Sequence, residues 1–216
     1  MSHSVERISN AVIAAFPKLT SPEQRLSLAT YRLLARGTPV ATQAVAAEAG
    51  MALADAARLL DSWHGVERDR HGAITAFWGL TLSTTKHRFR VPEGQLCTWC
   101  AWDTLFLPAL IGASADVEST CPVTRARISL RVATTGVLSV TPQQVVLSFV
   151  VPSEADIARS VTETFCCHVH FFASRDAGEE WAATRPEILL LALEEGWEIG
   201  ARKNAAQFGA ALHQIA

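Results

Sequence analysis

The feature that most constrains the fold is a change of hydrophobic period part-way along the chain. Up to about residue 80 apolar residues recur at helical spacing in an Ala-rich background, and from Ala73 onward short stretches alternate at the period of a strand. Arg7–Phe16 reads as a first helix. Pro22 suits the first turn of a second, Glu23–Arg36, which Gly37 stops. Thr42 is placed to cap a third helix, Gln43–Ala49, and Gly50 turns the chain into a fourth, Leu53–His64. Strand signals follow at Ala73–Leu82, His87–Val91, Ile128–Ala133, Leu138–Thr141 and Gln144–Val151, with turns near Gly136 and Pro142. Asp176–Thr184 reads as a helix, Glu187–Leu193 as a strand or the buried start of a helix, and Glu194–Ile215 as mostly helical. Strands and helices do not alternate as βαβ units. The expected class is therefore α+β, a helical N-terminal part packed on a mixed or antiparallel β core with flanking helices. The division falls between residues 1–82 and 83–216, without a flexible linker, so the two parts should pack together.

Helix, Gly-containing turn, helix, then a hairpin turn at Arg70-His71-Gly72 resembles a winged-helix module. Reading a DNA groove needs basic and amide side chains. The candidate recognition helix, ALADAARLLDSW, offers Arg58 but also Asp55 and Asp61, which favours a packing or lid role. A net charge of −2 gives no general affinity for nucleic acid or anionic lipid. With 216 residues, 49% of them hydrophobic, the chain can bury a sizeable core. Its start, MSHSVERISNAVIAAFPKL, lacks the basic region and long apolar run of a signal peptide. The most apolar stretches are broken by Asp103, Pro108 or Glu194 and are too short to span a bilayer. Together with an odd number of cysteines, five, this makes a cytoplasmic protein with reduced thiols the expectation.

Four of those five cysteines lie in two segments, LCTWCAWDTLFLPALIG (Leu96–Gly112) and FCCHVHFFAS (Phe165–Ser174). Thiols beside a carboxylate suit a soft metal. A helix starting at Leu96 would bring Cys97, Cys100 and Asp103 near one face, where a carboxylate between two thiols can relay a proton. Cys97-x-x-Cys100 also admits a redox pair, half a zinc site and plain core packing. A strand through the second segment would put Cys166, His168 and His170 on one face and Cys167 on the other. Cys166 is then the functional thiol and Cys167 a structural one. Zinc held by Cys97, Cys100, Cys166 and His168 is an alternative, against which stand the bulky Trp99, Trp102, Leu105 and Phe106 around the first cysteines. Cys121, alone in STCPVTRAR, reads as a structural thiol.

Both segments are similar to signature regions of the organomercurial (alkylmercury) lyases. The residues that carry the likeness are Trp99-Cys100-Ala101, Asp103-Thr104-Leu105, Pro108 through Gly112, and Phe165 through Phe172. Looser similarity extends over most of the chain, including ARGTPV near Arg36 and GLTL near Gly79. The resemblance implies cleavage of a carbon–mercury bond by protonolysis, with Cys100, Cys166 and Asp103 as the catalytic and mercury-binding residues. It implies no organic cofactor, Hg(II) retained as product, release to external small thiols or a mercuric reductase, and no nucleic-acid or membrane partner. It also implies a winged-helix-like N-terminal part. Trp99, Trp102 and Phe106 are candidate pocket walls. Cys97 departs from the family pattern, which commonly has another residue there. The competing readings are a metal-sensing winged-helix regulator, a mercury-binding protein on the same fold, and a structural zinc protein.

Overall fold

A computed structural model describes residues 3–212. Four helices come first: α1 (His3–Ala15), α2 (Ser21–Leu34), α3 (Thr42–Glu48) and α4 (Leu53–Ser62). At the start of α2 the Thr20 backbone N–H and hydroxyl both donate to the Glu23 carboxylate, at 2.7 and 2.6 Å. Thr42 does not cap α3. It is the first helical residue after the cap position Ala41, and its hydroxyl accepts from Arg68 at 2.9 Å.

The strands β1 (Val66–Arg68), β2 (Ile74–Phe77), β3 (Leu80–Thr81), β4 (His87–Val91) and β5 (Gly94–Thr98) precede α5 (Asp103–Ile111). After it come β6 (Ala115–Thr120), β7 (Arg127–Ala133), β8 (Gly136–Thr141), β9 (Val146–Phe149) and α6 (Glu154–Thr164). Then follow β10 (Phe171–Phe172), α7 (Arg175–Ala182), β11 (Leu189–Ala192) and α8 (Leu193–Phe208). The strand expected at Ala73–Leu82 is broken into β2 and β3 at Trp78 and Gly79, both with positive φ (36° and 102°). Elements that were not expected include β1, β6 and α6, and β5 stands where a helix was expected. For β6 and α6 there were local signals: β6 alternates buried and exposed residues, and α6 opens with Ser153 and Asp156 in a capping box.

The class is α+β with antiparallel sheets. One sheet runs in the order β1-β2-β3-β5-β4-β6-β7-β8, and a smaller one runs β10-β9-β11. The large sheet crosses residue 82, because Leu80 and Thr81 of β3 pair with Thr98 and Cys97 of β5. The core is one continuous apolar cluster spanning both halves of the chain. At its centre lies α5, which is apolar on nearly every side, the pattern of a helix enclosed by other elements. Helix α8 packs against α5 unusually closely, since a Cβ at Gly200 would come within 2.6 Å of the Phe106 Cβ.

Candidate active site

The first cysteine segment is a strand, a tight turn and a helix. The helix expected from Leu96 begins only at Asp103, because Gly94–Thr98 pairs on both sides as β5. Side-chain hydrogen bonds lock the turn. Thr98 Oγ1 donates to the Cys100 carbonyl (2.8 Å), Thr104 Oγ1 to the Ala101 carbonyl (2.7 Å), and Trp102 Nε1 to the Gly196 carbonyl on α8 (2.8 Å). The Cys100 N–H donates to Asp103 Oδ2 at 2.8 Å. Asp103 occupies the first turn of α5, where the helix dipole favours a carboxylate.

The second segment is not a strand at Cys166. Residues Cys166–His168 form a single 3-10 turn after α6, and only Phe171–Phe172 is strand. The Ala101 N–H donates to the Val169 carbonyl (3.2 Å), which ties this turn to the first segment. Ser148 on β9 donates to the His168 carbonyl (2.8 Å) and accepts from the His170 N–H (2.9 Å). Phe165 anchors the turn between Trp102 and Phe149, with ring centroids 5.7 and 5.3 Å away.

The outcome is one buried constellation. The sulfurs of Cys100 and Cys166 and a carboxylate oxygen of Asp103 all lie within 4.8 Å of one another. Two thiolates and a carboxylate make a donor set for a soft cation. Cys166 and Asp103 line a partly open cavity of about 40 Å³, whose walls include Phe16, Tyr31, Trp78 and Phe106. Cys100 is fully buried and does not line the cavity.

Burial governs the protonation of the site. It pushes the Cys100 thiol well above its ordinary range, and the neighbouring Cys166 and Asp103 push it further. For Cys166, contact with Cys100 lowers the pKa while burial and Asp103 raise it, leaving a net rise. Asp103 is pushed up to about 6 by burial, against the pull of its hydrogen bonds with Cys100 and the charge of Lys203. Near neutral pH the resting site thus holds two protonated thiols beside a carboxylate poised to accept a proton.

Several residues singled out in the sequence fall elsewhere. Cys97 is on β5, outside the constellation and the cavity lining. Neither it nor His168 joins Cys100 and Cys166, so the zinc set considered above is not assembled among the described residues. His170 packs edge-on to Trp181, with centroids 5.3 Å apart. Cys167 faces outward rather than into the core, its thiol donating to the Glu163 carbonyl at 2.8 Å. Trp102 is packing rather than wall, whereas Trp99 and Phe106 do line the cavity.

Sequence reasoning favoured a packing or lid role for the N-terminal part but missed the residues that bring it to the cavity. Phe16, Tyr31 and Trp78 close the cavity from that side, and the Tyr31 hydroxyl donates to the Trp78 carbonyl at 3.1 Å. Gly79 was noticed only within GLTL. A Cβ there would lie 2.6 Å from both Cγ and Oδ1 of Asp103, so the absence of a side chain makes room for the carboxylate.

Fold and site together define a buried thiol–carboxylate centre in an α+β scaffold. Residues 80–204 match the family model described as MerB, alkylmercury lyase. The chain is 39% identical over 174 residues to the alkylmercury lyase of Staphylococcus epidermidis, covering 81% of this chain and 79% of that protein. It is 40% identical over 175 residues to the alkylmercury lyase of Pseudomonas putida, covering 81% of each. The crystal structure of the mercury-bound form of MerB2 shares the fold, with a TM-score of 0.72 over 95% of this chain and 100% of that one at 20% identity. The chain belongs to the alkylmercury lyase family.

Proposed function

We propose that this protein cleaves the carbon–mercury bond of organomercurials by protonolysis, with Cys100, Cys166 and Asp103 as the reacting groups. The observation that carries the reading is the buried constellation of those three side chains in a chain of this family. Cys166 borders the cavity and meets the substrate first. Its sulfur displaces a small thiol from R–Hg–SR′, and the cysteine proton leaves with that thiol. Cys100 then transfers its proton to the Asp103 carboxylate and binds mercury as the second thiolate. Two sulfur donors raise the electron density on the carbon. Asp103 returns the proton to that carbon as a general acid, the carbon–mercury bond breaks, and R–H departs. Mercury(II) stays on the two sulfurs until two external thiols, or a mercuric reductase, take it and the cysteines recover their protons. Burial supports the step, since bulk water would dissipate the proton. The reaction uses no organic cofactor.

In this reading residues 83–216 carry the chemistry. Residues 1–82 are a winged-helix-like part that walls the cavity rather than reading DNA. Arg58 on α4 is engaged by Asp55 at 3.1 Å, and Arg68 by Asp61 at 2.9 Å, which leaves little positive charge on that face. No helix among the described residues is long and apolar enough to cross a membrane, and we place the protein in the cytoplasm. The test is release of methane and Hg(II) from methylmercury in excess small thiol. Release is expected from the unaltered protein and not from Cys100→Ser or Cys166→Ser. Unchanged release from either variant refutes the assignment of that sulfur.

A further inference from the structure

One charged group in the cavity has no part in the chemistry above. Lys203 on α8 is only 3% exposed, yet it lines the same cavity as Cys166 and Asp103. Its ammonium lies 4.2 Å from the ring centre of Phe106 and 5.1 Å from that of Phe16. No salt bridge or side-chain hydrogen bond reaches it among the described residues. Asp103 is the other charged residue of the cavity lining. Its carboxylate is taken up by the Cys100 N–H and packed against Gly79, and it makes no salt bridge with Lys203.

An ammonium on a side chain so nearly enclosed, with no direct ion pair, is costly, and contact with ring faces and the charge of Asp103 offset only part of that cost. A methionine or leucine would fill the same space between the two rings without the penalty. What the ammonium form adds is a positive charge lining the space proposed for the organic group of a substrate. We propose that Lys203 is a specificity determinant: it binds an anionic substituent on the organic group, so that the site takes carboxylated organomercurials. The inference rests on the lyase reading. Burial holds the Lys203 pKa down at about 7, with Asp103 acting in the opposite direction. A substrate carboxylate would add to the charge that favours the ammonium form. The narrow cavity points to a short substituent, and its aromatic walls give the carbon chain an apolar surface.

The test compares two substrates of equal size, 2-carboxyethylmercury and 3-methylbutylmercury. Both are supplied as adducts of 2-mercaptoethanol, so that the displaced thiol carries no charge. Cleavage releases propanoate from the first and 2-methylbutane from the second. In the unaltered protein kcat/KM for the carboxylated substrate should equal or exceed that for its isostere. Without a cation, a carboxylate entering an apolar cavity that already holds Asp103 should be rejected. In Lys203→Met the ratio of the two values should fall by about tenfold or more, as expected for loss of a charge-assisted hydrogen bond. Lys203→Arg should preserve it. A ratio unchanged in Lys203→Met, or both values falling equally, overturns the proposal while leaving the lyase reading intact. Should Lys203→Met not fold, the unaltered protein decides: a carboxylated substrate cleaved more than tenfold less efficiently than its isostere overturns the proposal. Release of neither product from the unaltered protein overturns the lyase reading and this inference with it.

Discussion

Asp103 has two opposing demands placed on it. In the proposed mechanism it must be ionised to receive a thiol proton, yet it is buried beside two sulfurs, and burial pushes it up to about 6. The native pKa lies above the ordinary 3.8, so this group stabilises the fold fully only below that value. The contribution is lost as pH rises through about 6, because ionisation then has to occur in the interior. Activity runs the other way. The kcat/KM for methane release should fall as pH drops through about 6, as the proton acceptor becomes occupied. Asp103→Asn should lose roughly 10²- to 10⁴-fold in methane release while still retaining mercury, measured as metal per protein after gel filtration. Full turnover by that variant would end the proton-relay mechanism. Cys121 provides the contrast. It is fully buried and accepts a weak hydrogen bond from the Thr124 N–H at 3.5 Å, but lies outside the constellation. Cys121→Ser should lower stability by about 1–2 kcal/mol in chemical denaturation and leave methane release unchanged.

At the scale of elements, the site is made by two turns held by their neighbours. The 99–102 turn is tied to the Cys166 turn through Ala101 and Val169, to α8 through Trp102, and to the joint between β2 and β3 through the Trp99 N–H and Gly79 carbonyl (2.8 Å). The joint between β2 and β3 is as consequential as the cysteine segments. There Trp78 takes a left-handed backbone at φ 36°, and Gly79 at φ 102° leaves space for the carboxylate. Gly79→Ala should cost about 1–3 kcal/mol of stability. It should lower kcat for methane release more than it changes mercury binding, because the displaced group is Asp103. Normal kcat in a folded Gly79→Ala protein would show that the carboxylate position tolerates the intrusion. Most of these elements were legible from periodicity and capping residues. The extents of the two cysteine segments were not. Leu96–Thr98 has acceptable helical spacing, but β3 and β4 pair with it on either side. Cys166–His170 admits a strand period, but it follows closely on α6 and its backbone is satisfied by a tight turn and Ser148.

For the whole molecule, one sheet and one apolar core pass through the point where the sequence divides. Helix α2 supplies Tyr31 to the cavity, and β3 completes the sheet next to β5. Urea unfolding should therefore be a single transition, with tryptophan fluorescence and far-ultraviolet circular dichroism giving the same midpoint. Two separated transitions would show that residues 1–82 and 83–216 are independent units. The sequence by itself carried the α+β class, because periodicity is a local property, and the two motifs whose likeness to the lyases points to Cys100, Asp103 and Cys166. Only the tertiary structure decided that Cys97 and the histidines stand apart, that Gly79 makes room for Asp103, and that Lys203 lines the same cavity as Cys166 and Asp103. Those facts depend on which distant segments pack together. Lys203 is 100 residues from Asp103 in the chain, and nothing in the local pattern of α8 says which buried cavity its side chain will enter.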